Sequence, residues 1–188
     1  MAALHPTDLL RTGFSGSDGD RRAHLIGIGG TGMRSLARVL LGWEWKVTGS
    51  DLSPNALGHL AAAGVRIHAG HAAGHLTSDT DLVVYSDAID EKNPELRRAA
   101  ELGIPSSSYF EALGRISQDR HTLAVAGTHG KSTTTAMAGE LLIEAGIDPT
   151  VVYGAEPLAG GSGARAGRAG MMLVEACEYR ANFLHLAV

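Results

Sequence analysis

A glycine-rich turn between a short apolar run and an amphipathic segment constrains the fold of this chain more than any other feature. The stretch reads "AHLIGIGGTGM", and Gly27, Gly29 and Gly32 have the G-x-G-x-x-G spacing directly after a predicted strand. Apolar residues then recur at helical spacing over 31–43, and the strand-like "WKVTGSD" follows. This order predicts a βαβ unit of the kind found in Rossmann-like parallel sheets.

The same turn has the chemistry of a diphosphate site. Its backbone N–H groups can approach a diphosphate closely, and the following helix N-terminus places about half a positive charge beside it. Asp51 ends the next strand, where its carboxylate could accept a hydrogen bond from a ribose hydroxyl. The residues alone therefore indicate a dinucleotide or another phosphate-bearing ligand, and the alternative is that the glycines only allow close packing of strand and helix.

Strand and helix patterns alternate through the rest of the chain, with a polar break at "SQDRH". In the first half, strands are predicted over 65–70 and 81–86 and helices over 53–64, 94–103 and 111–116. In the second half, the pattern predicts a strand over 122–127, a helix over 131–146, further strands over 149–154 and 170–176, and only a loop over the glycine-rich 158–170. We therefore predict an α/β protein with a flexible arm over 1–22, a Rossmann-like parallel-sheet domain over 23–118 and the start of a P-loop α/β domain over 119–188.

The second half opens on another glycine loop, "VAGTHGKSTTT". Val125 stands where the P-loop pattern G-x-x-x-x-G-K-[ST] has its first glycine. Gly130 still lets the backbone turn around a phosphate, Lys131 can reach the β and γ oxygens, and the Ser132 hydroxyl can coordinate Mg²⁺. These residues indicate an ATP site, and the alternative is a polar helix cap with a solvent-facing lysine.

Composition and charge exclude several classes of function. The formal net charge of −4 leaves no basic field for a nucleic-acid backbone. Cys177 is the only cysteine, so the chain has no internal disulfide and cannot build a thiolate zinc site alone. Without an apolar leader or a run of about 18 apolar residues, we expect a cytoplasmic protein with no membrane partner.

The histidines raise the question of a metal site. His68, His71 and His75 are closely spaced, but no partner carboxylate accompanies them in the sequence, so metal binding is not the favoured interpretation. His129 lies inside the second glycine loop, where it either contacts a phosphate or fills a position that tolerates many residues.

Four segments together carry a family resemblance: "HLIGIGGTGMRSLARVLLGWEWKVTGSDL", "VVYSDAIDEKNPELRRAAELGIP", "VAGTHGKSTTTAM" and "VEACEYRANFLHL". Their order and spacing resemble the Mur ligases of peptidoglycan synthesis, most closely the members that join L-alanine to UDP-N-acetylmuramate. The resemblance runs from about residue 23 to the last residue. It also accounts for Val125, because the family's loop has the shorter GTxGK[ST] form.

The resemblance implies a set of site residues. For the UDP-sugar these are Gly29, Gly30, Thr31, Gly32, Met33, Asp51, His71, Ser86 and Ala88, which replaces the dinucleotide interpretation. For ATP they are Gly127, Thr128, His129, Gly130, Lys131, Ser132 and Thr133. Mg²⁺ would be held by Ser132 and Glu175, and Lys131 and Glu175 would be the catalytic residues.

The implied reaction is an ATP-dependent ligation. The muramyl carboxylate attacks the γ-phosphate of ATP to give an acyl phosphate, and the amine of L-alanine then displaces phosphate. Lys131 and Mg²⁺ would stabilise the charge on the transferring group.

The chain also departs from the family pattern. Asp87 replaces the usual serine, and Cys177 replaces an aspartate. The chain stops before further central strands and the family's C-terminal domain, so we expect it not to catalyse ligation by itself and to leave sheet edges open to self-association. Two other functions remain open: a non-catalytic module that binds UDP-sugar or nucleotide, and a related ligase that acts on muramyl peptides.

Overall fold

The computed structural model describes residues 20–53, 57–154, 163–176 and 184–188. The strands in these ranges are β1 Arg22–Ile26, β2 Lys46–Asp51, β3 Arg66–Ala69, β4 Leu82–Tyr85, β5 Ser106–Ser108, β6 His121–Val125, β7 Thr150–Val152, β8 Ala164–Arg165 and β9 Met171–Glu175. The α-helices are α1 Thr31–Gly42, α2 Gly58–Ala62, α3 Pro94–Leu102, α4 Tyr109–Gln118 and α5 Lys131–Glu144, and a 3₁₀ turn covers Ala73–His75.

The first sheet contains five parallel strands in the order β3-β2-β1-β4-β5, which confirms the predicted α/β class. The strand order reverses between β1 and β4, and such a switch point opens a crevice at the carboxyl ends of the strands. Ile26 lies opposite Ser50 on one side and Tyr85 on the other. The segments that follow β1, β2 and β4 therefore emerge side by side at this crevice.

Helix α3 forms where its local signals predict it. The Asn93 side chain accepts hydrogen bonds from the N–H groups of Glu95 and Leu96, at 2.8 Å and 3.3 Å. Pro94 occupies the first turn, where its missing N–H costs nothing. Gly103 ends the helix with a left-handed φ of 68°. Asn93 and Pro94 thus fix the first turn of α3, which includes the buried Glu95, and Gly103 fixes the end of the helix.

Helix α4 begins two residues before its predicted start at 111. The Ser108 hydroxyl accepts from the N–H of Glu111, and the Glu111 carboxylate accepts from the N–H of Ser108 at 2.7 Å. This capping box satisfies backbone donors at the helix start, so the helix begins at Tyr109. Tyr109 and Phe110 are therefore held on the first turn of α4.

The second sheet has the order β6-β9-β7-β8, with β6, β9 and β7 parallel and β8 antiparallel to β7. The prediction that 158–170 forms only a loop is wrong for Ala164 and Arg165, which pair with Val152 and Val151. The open backbone edge of β7 provides hydrogen-bond partners that glycine-rich composition does not reveal. Residues 155–162 lie outside the described ranges.

Helix α1 packs against both sheets. The Ser35 hydroxyl donates to the Tyr153 carbonyl at 3.1 Å, and the Trp43 indole N–H donates to the Gly167 carbonyl at 3.2 Å. One apolar cluster contains Leu36 and Leu40 of α1 together with core residues of both sheets. The helix that begins at the first glycine loop thus fixes the second sheet against the first.

Residues 1–19 of the predicted arm over 1–22 lie outside the described ranges. The predicted end of the arm at residue 22 is wrong, because Arg22 already belongs to β1 and lies opposite Lys46. Cys177 also falls outside the described ranges. In the part of the chain that the structure describes, no helix has the length and apolar character needed to cross a bilayer.

Candidate functional site

A cavity of about 450 Å³ lies at the crevice where the strand order of the first sheet reverses. Three segments form it: the N-terminus of α1, the turn after β4 and the first turn of α4. Its lining residues are Gly30, Thr31, Gly32, Met33, Ser86, Asp87, Ala88, Tyr109 and Phe110. The structure therefore brings together most residues that were predicted to bind the UDP-sugar, and adds Asp87 and two aromatic side chains.

Backbone hydrogen bonds to the end of β2 hold the first glycine loop. The N–H groups of Gly27 and Ile28 both donate to the Ser50 carbonyl, at 2.8 Å and 3.1 Å. Gly27 has a φ of 78°, a left-handed conformation that favours glycine. The loop is thereby folded tightly over the end of β2, and α1 starts directly after it.

Asp51 supports this loop from the side. Its Oδ2 accepts from the N–H of Gly29 at 2.8 Å, and its Oδ1 accepts from the N–H of Ser53 at 2.9 Å. A Cβ added to Gly29 would lie only 2.6 Å from Oδ2, so this approach requires glycine. The structure gives Asp51 a role in positioning the loop, and its contact with a ribose stays a prediction.

His71 lies beside the loop rather than in the lining of the cavity. Its side chain is only 13% exposed, and its Nδ1 lies 2.9 Å from Ser50 Oγ and 3.1 Å from Glu95 Oε2. Its role toward the UDP-sugar stays a prediction. Within the described ranges, no group of three or more His, Cys, Asp or Glu side chains has an arrangement that could hold a metal ion.

Tyr109 and Phe110 are the aromatic residues that the sequence analysis missed. Their rings meet edge to face with centroids 4.9 Å apart. The Tyr109 ring covers Gly32, since a Cβ added there would lie 2.7 Å from Tyr109 Cζ. The S-x-x-E spacing of Ser108 and Glu111, a capping-box signature, was the signal that could have placed both rings at a helix start.

The second glycine loop connects β6 to α5 at the carboxyl edge of the second sheet. Gly130 caps α5 with a left-handed φ of 77°, and Lys131 is the first helical residue. The Lys131 ammonium donates to the Gly127 carbonyl at 2.8 Å, so its side chain lies across the loop. The predicted ATP residues from Gly127 to Thr133 thus form one strand–loop–helix junction.

Ser132 and Glu175, the two predicted Mg²⁺ residues, are in direct contact. Ser132 Oγ donates to Glu175 Oε2 at 2.8 Å, and the N–H of Gly154 donates to the same oxygen at 3.0 Å. Glu175 stands at the end of β9, next to Val125 at the end of β6. A hydroxyl and a carboxylate oxygen at this position fit the hard oxygen ligands that Mg²⁺ requires.

The family model described as "Mur ligase family, catalytic domain" matches residues 22–121. This chain belongs to the Mur ligase family. The match extends from β1 to the first residue of β6, so it includes both the cavity and the elements that form it.

Similar proteins extend this Mur ligase match into the second sheet. A UDP-N-acetylmuramate–L-alanine ligase of Methylobacillus flagellatus is 44% identical over 167 residues, which are 88% of this chain and 35% of that protein. A murein peptide ligase from Psychrobacter arcticus matches with a TM-score of 0.75 and 32% identity over 88% of this chain and 41% of its own. The UDP-N-acetylmuramate-alanine ligase from Thermotoga maritima matches with a TM-score of 0.69 and 28% identity. That match covers 82% of this chain and 37% of the other chain. The chain spans about a third of the length of its curated relatives.

Proposed function

We propose that this chain holds UDP-N-acetylmuramate and ATP for an ATP-dependent ligation to L-alanine in peptidoglycan synthesis. The observation that carries the proposal is the pair of glycine loops, each at the carboxyl ends of parallel strands, with one helix, α1, contacting both sheets. The proposed substrates are those in the names of the relatives, which are UDP-N-acetylmuramate–L-alanine ligases. As a Mur ligase chain, it would act in the cytoplasm, where UDP-sugars and ATP are found.

The cavity at the first loop is the proposed UDP-sugar site. Gly30, Thr31 and Gly32 would present backbone N–H groups to the diphosphate at the N-terminus of α1. The proposed domain over 23–118 would in this way hold the sugar nucleotide, and the segment from 119 onward would hold ATP. Asp87 lies at the rim of the cavity and is exposed, so water screens its charge from the diphosphate.

The second loop is the proposed ATP site. Lys131 would leave the Gly127 carbonyl to contact the β and γ oxygens, and its charge would stabilise the transferring phosphoryl group. Gly130 permits the close backbone approach. The protein would position the muramyl carboxylate and the phosphate for direct attack, and forms no covalent bond itself.

The Ser132 hydroxyl and the Glu175 carboxylate are the groups that would hold Mg²⁺. When bound, it would supply charge neutralisation to the phosphate oxygens. Glu175 is held by the Ser132 hydroxyl and the Gly154 N–H, so its carboxylate is already oriented toward the loop.

Calorimetric titration tests both halves of the proposal. Wild type and Lys131→Ala are each titrated with UDP-N-acetylmuramate and with Mg-ATP. We expect Lys131→Ala to lose ATP binding and to keep sugar-nucleotide binding, because the two loops lie on different sheets. Lys46→Ala, at the opposite end of β2, is the matched control. Failure of wild type to bind the sugar nucleotide would overturn the proposed function.

A ligase acting on muramyl peptides is a second candidate. The solved structures that match with TM-scores of 0.72 and 0.75 are murein peptide ligases, whereas the alanine ligase matches with 0.69. The sequence relatives at 41% to 45% identity favour the alanine ligase. Product analysis with L-alanine and with a free tripeptide as competing amine donors, using the protein that contains this chain, separates the two.

A non-catalytic binding module is the third candidate, and self-association belongs with it. Strand β6 lies at the edge of the second sheet, with Leu123 43% exposed, and such edges can pair with another chain. Light scattering during size-exclusion chromatography measures the mass of the chain in solution. Sugar-nucleotide binding without ligation by the protein that contains this chain would support the module.

A further inference from the structure

A buried carboxylate surrounded by histidines lies directly beneath the first glycine loop. Glu95 is completely buried, and its ion-pair partners among the described residues are His24, His71 and His75. His75 Nδ1 lies 2.6 Å from Oε1, and His71 Nδ1 lies 3.1 Å from Oε2. Ser50 Oγ donates to Oε2 at 2.6 Å. Four separate segments thus place polar hydrogens on one buried carboxylate.

These partners keep Glu95 ionised. Burial raises the pKa of its carboxyl, but the nearby His24 ring and the hydrogen bonds from Ser50 and His75 outweigh burial and hold the pKa at about 2. A buried charge is tolerated only when hydrogen bonds or opposite charges compensate it. Nδ1 of His71 and Nδ1 of His75, which lie within hydrogen-bond distance of the carboxylate, therefore act as donors.

His24 is the partner with the least freedom. It is fully buried, and its Nδ1 lies 2.7 Å from Thr48 Oγ1. The Thr48 hydroxyl can donate to the Ala23 carbonyl at 3.4 Å, and His24 Nδ1 then carries the proton of its bond to Thr48. Its Nε2 lies 3.5 Å from Glu95 Oε1 and has no hydrogen-bond partner among the described residues.

The cluster is connected to the glycine loop through Ser50. The Ser50 side chain is held by Glu95, while its carbonyl accepts from the N–H groups of Gly27 and Ile28. The next residue, Asp51, holds the N–H of Gly29. Movement of Ser50 would therefore displace three consecutive residues of the loop.

We propose that Glu95 is a positioning residue for the diphosphate loop, and that its contacts with Ser50 and the surrounding histidines set the loop's geometry. This inference rests on the proposed UDP-sugar site. The groups around Glu95 are His24 from β1, Ser50 from β2, His68 from β3, His71 from the loop after β3, and His75 from the 3₁₀ turn, and the charge of the exposed Arg66 acts on His68. His68 stacks on His75 with centroids 4.2 Å apart, and burial lowers the pKa of the His68 imidazole.

The pH profile of sugar-nucleotide binding distinguishes this role from a merely structural one. The doubly esterified diphosphate and the carboxylate of UDP-N-acetylmuramate keep their charges between about pH 5.5 and pH 8.5, whereas imidazoles titrate in this range. Loss of positive charge from the imidazoles around the buried carboxylate would weaken the support of the loop as pH rises. We expect the affinity of wild type to fall at least about threefold across this range.

The test is calorimetric titration of UDP-N-acetylmuramate across that pH range with four proteins. Glu95→Gln removes the charge at constant shape, and we expect about a tenfold lower affinity and a flatter pH profile. Ser50→Ala keeps the cluster and the backbone bonds but cuts the side-chain link, and we expect a similar loss of affinity. Glu101→Gln, on the exposed face of the same helix, is expected to match wild type.

The outcomes separate the two proposals. If wild type does not bind the sugar nucleotide, the proposed function fails. If wild type binds with a flat pH profile, or if Glu95→Gln and Ser50→Ala bind as wild type does, this inference is wrong and the proposed function stands. If Glu95→Gln does not fold, Ser50→Ala and the wild-type pH profile still decide the question.

Discussion

Ser132 Oγ donates a 2.8 Å hydrogen bond to Glu175 Oε2, although the two residues are 43 positions apart in the chain. The contact joins the start of α5 to the end of β9. A hydroxyl and a carboxylate are the kind of oxygen ligands that Mg²⁺ binds, so this contact is the proposed cation site. A bound cation would take the place of the hydrogen bond between the Ser132 hydroxyl and the Glu175 carboxylate.

This contact predicts the effect of Glu175→Gln. The substitution keeps the shape but removes the negative charge, so we expect Mg²⁺-dependent ATP affinity to fall by about tenfold or more, and UDP-sugar affinity to stay unchanged. Titration of ATP with and without Mg²⁺ measures the effect. Glu144→Gln, at the exposed end of α5, is the control. Equal Mg²⁺ dependence in Glu175→Gln and wild type would contradict the assignment.

Gly32→Ala should affect binding more than stability. The new Cβ would lie 2.7 Å from Cζ of Tyr109, and the ring would have to swing away from its place at the cavity. We expect about a tenfold loss of UDP-sugar affinity with a change of at most about 1 kcal/mol in the free energy of unfolding. Calorimetry and urea denaturation measure the two quantities. Unchanged affinity would show that the Tyr109 ring does not shape the site.

Gly42→Ala should destabilise the packing between the sheets. A Cβ at the end of α1 would overlap the Cβ of Ala166, which follows β8. Alanine is normally the better helix former, but the overlap should cost about 1–3 kcal/mol. Gly58→Ala, where nothing lies within 4 Å of the added Cβ, should leave stability equal or higher. Equal stability of Gly42→Ala and wild type in urea denaturation would contradict this packing.

Acid should destabilise wild type more than Glu95→Gln. The folded pKa of Glu95 is about 2, against an ordinary value of 4.5, so its stabilisation is present above the ordinary value and is lost as pH falls toward 2. The difference corresponds to about 3 kcal/mol of unfolding free energy, lost between about pH 5 and pH 2. Urea denaturation over this range measures it, with Glu101→Gln as the control. Parallel curves for wild type and Glu95→Gln would refute the prediction.

Local signals made part of the fold predictable. Asn93, Pro94 and Gly103 each determine a helix end through a hydrogen bond or a backbone angle of their own, and α3 forms between them. The glycine loops were equally readable, because a strand and a helix flank each of them. Strand β8 was not predictable, because Ala164 and Arg165 are extended only through their pairing with β7.

The candidate site divides in the same way. Gly30, Thr31, Gly32 and Met33 line the cavity and Gly29 does not, and their contact with a UDP-sugar stays a prediction. Tyr109 and Phe110 were missed, because their position depends on a helix start that was placed two residues late. The partners of Glu95 come from four segments, and no sequence spacing joins them. Glu95 itself resembles an ordinary acidic residue in the first turn of a helix.

The two tryptophans of the chain lie in different surroundings. Trp43 donates to Gly167 and stacks under the Arg120 guanidinium at 4.4 Å, where α1 meets the second sheet. Trp45 is 4% exposed and directly precedes β2 of the first sheet. Their fluorescence can therefore follow the unfolding of two parts of the protein separately. Trp43→Phe leaves Trp45 as the probe of the first sheet, and Trp45→Phe leaves Trp43 as the probe of the contact between α1 and the second sheet. Comparison of the two variants shows which part unfolds first.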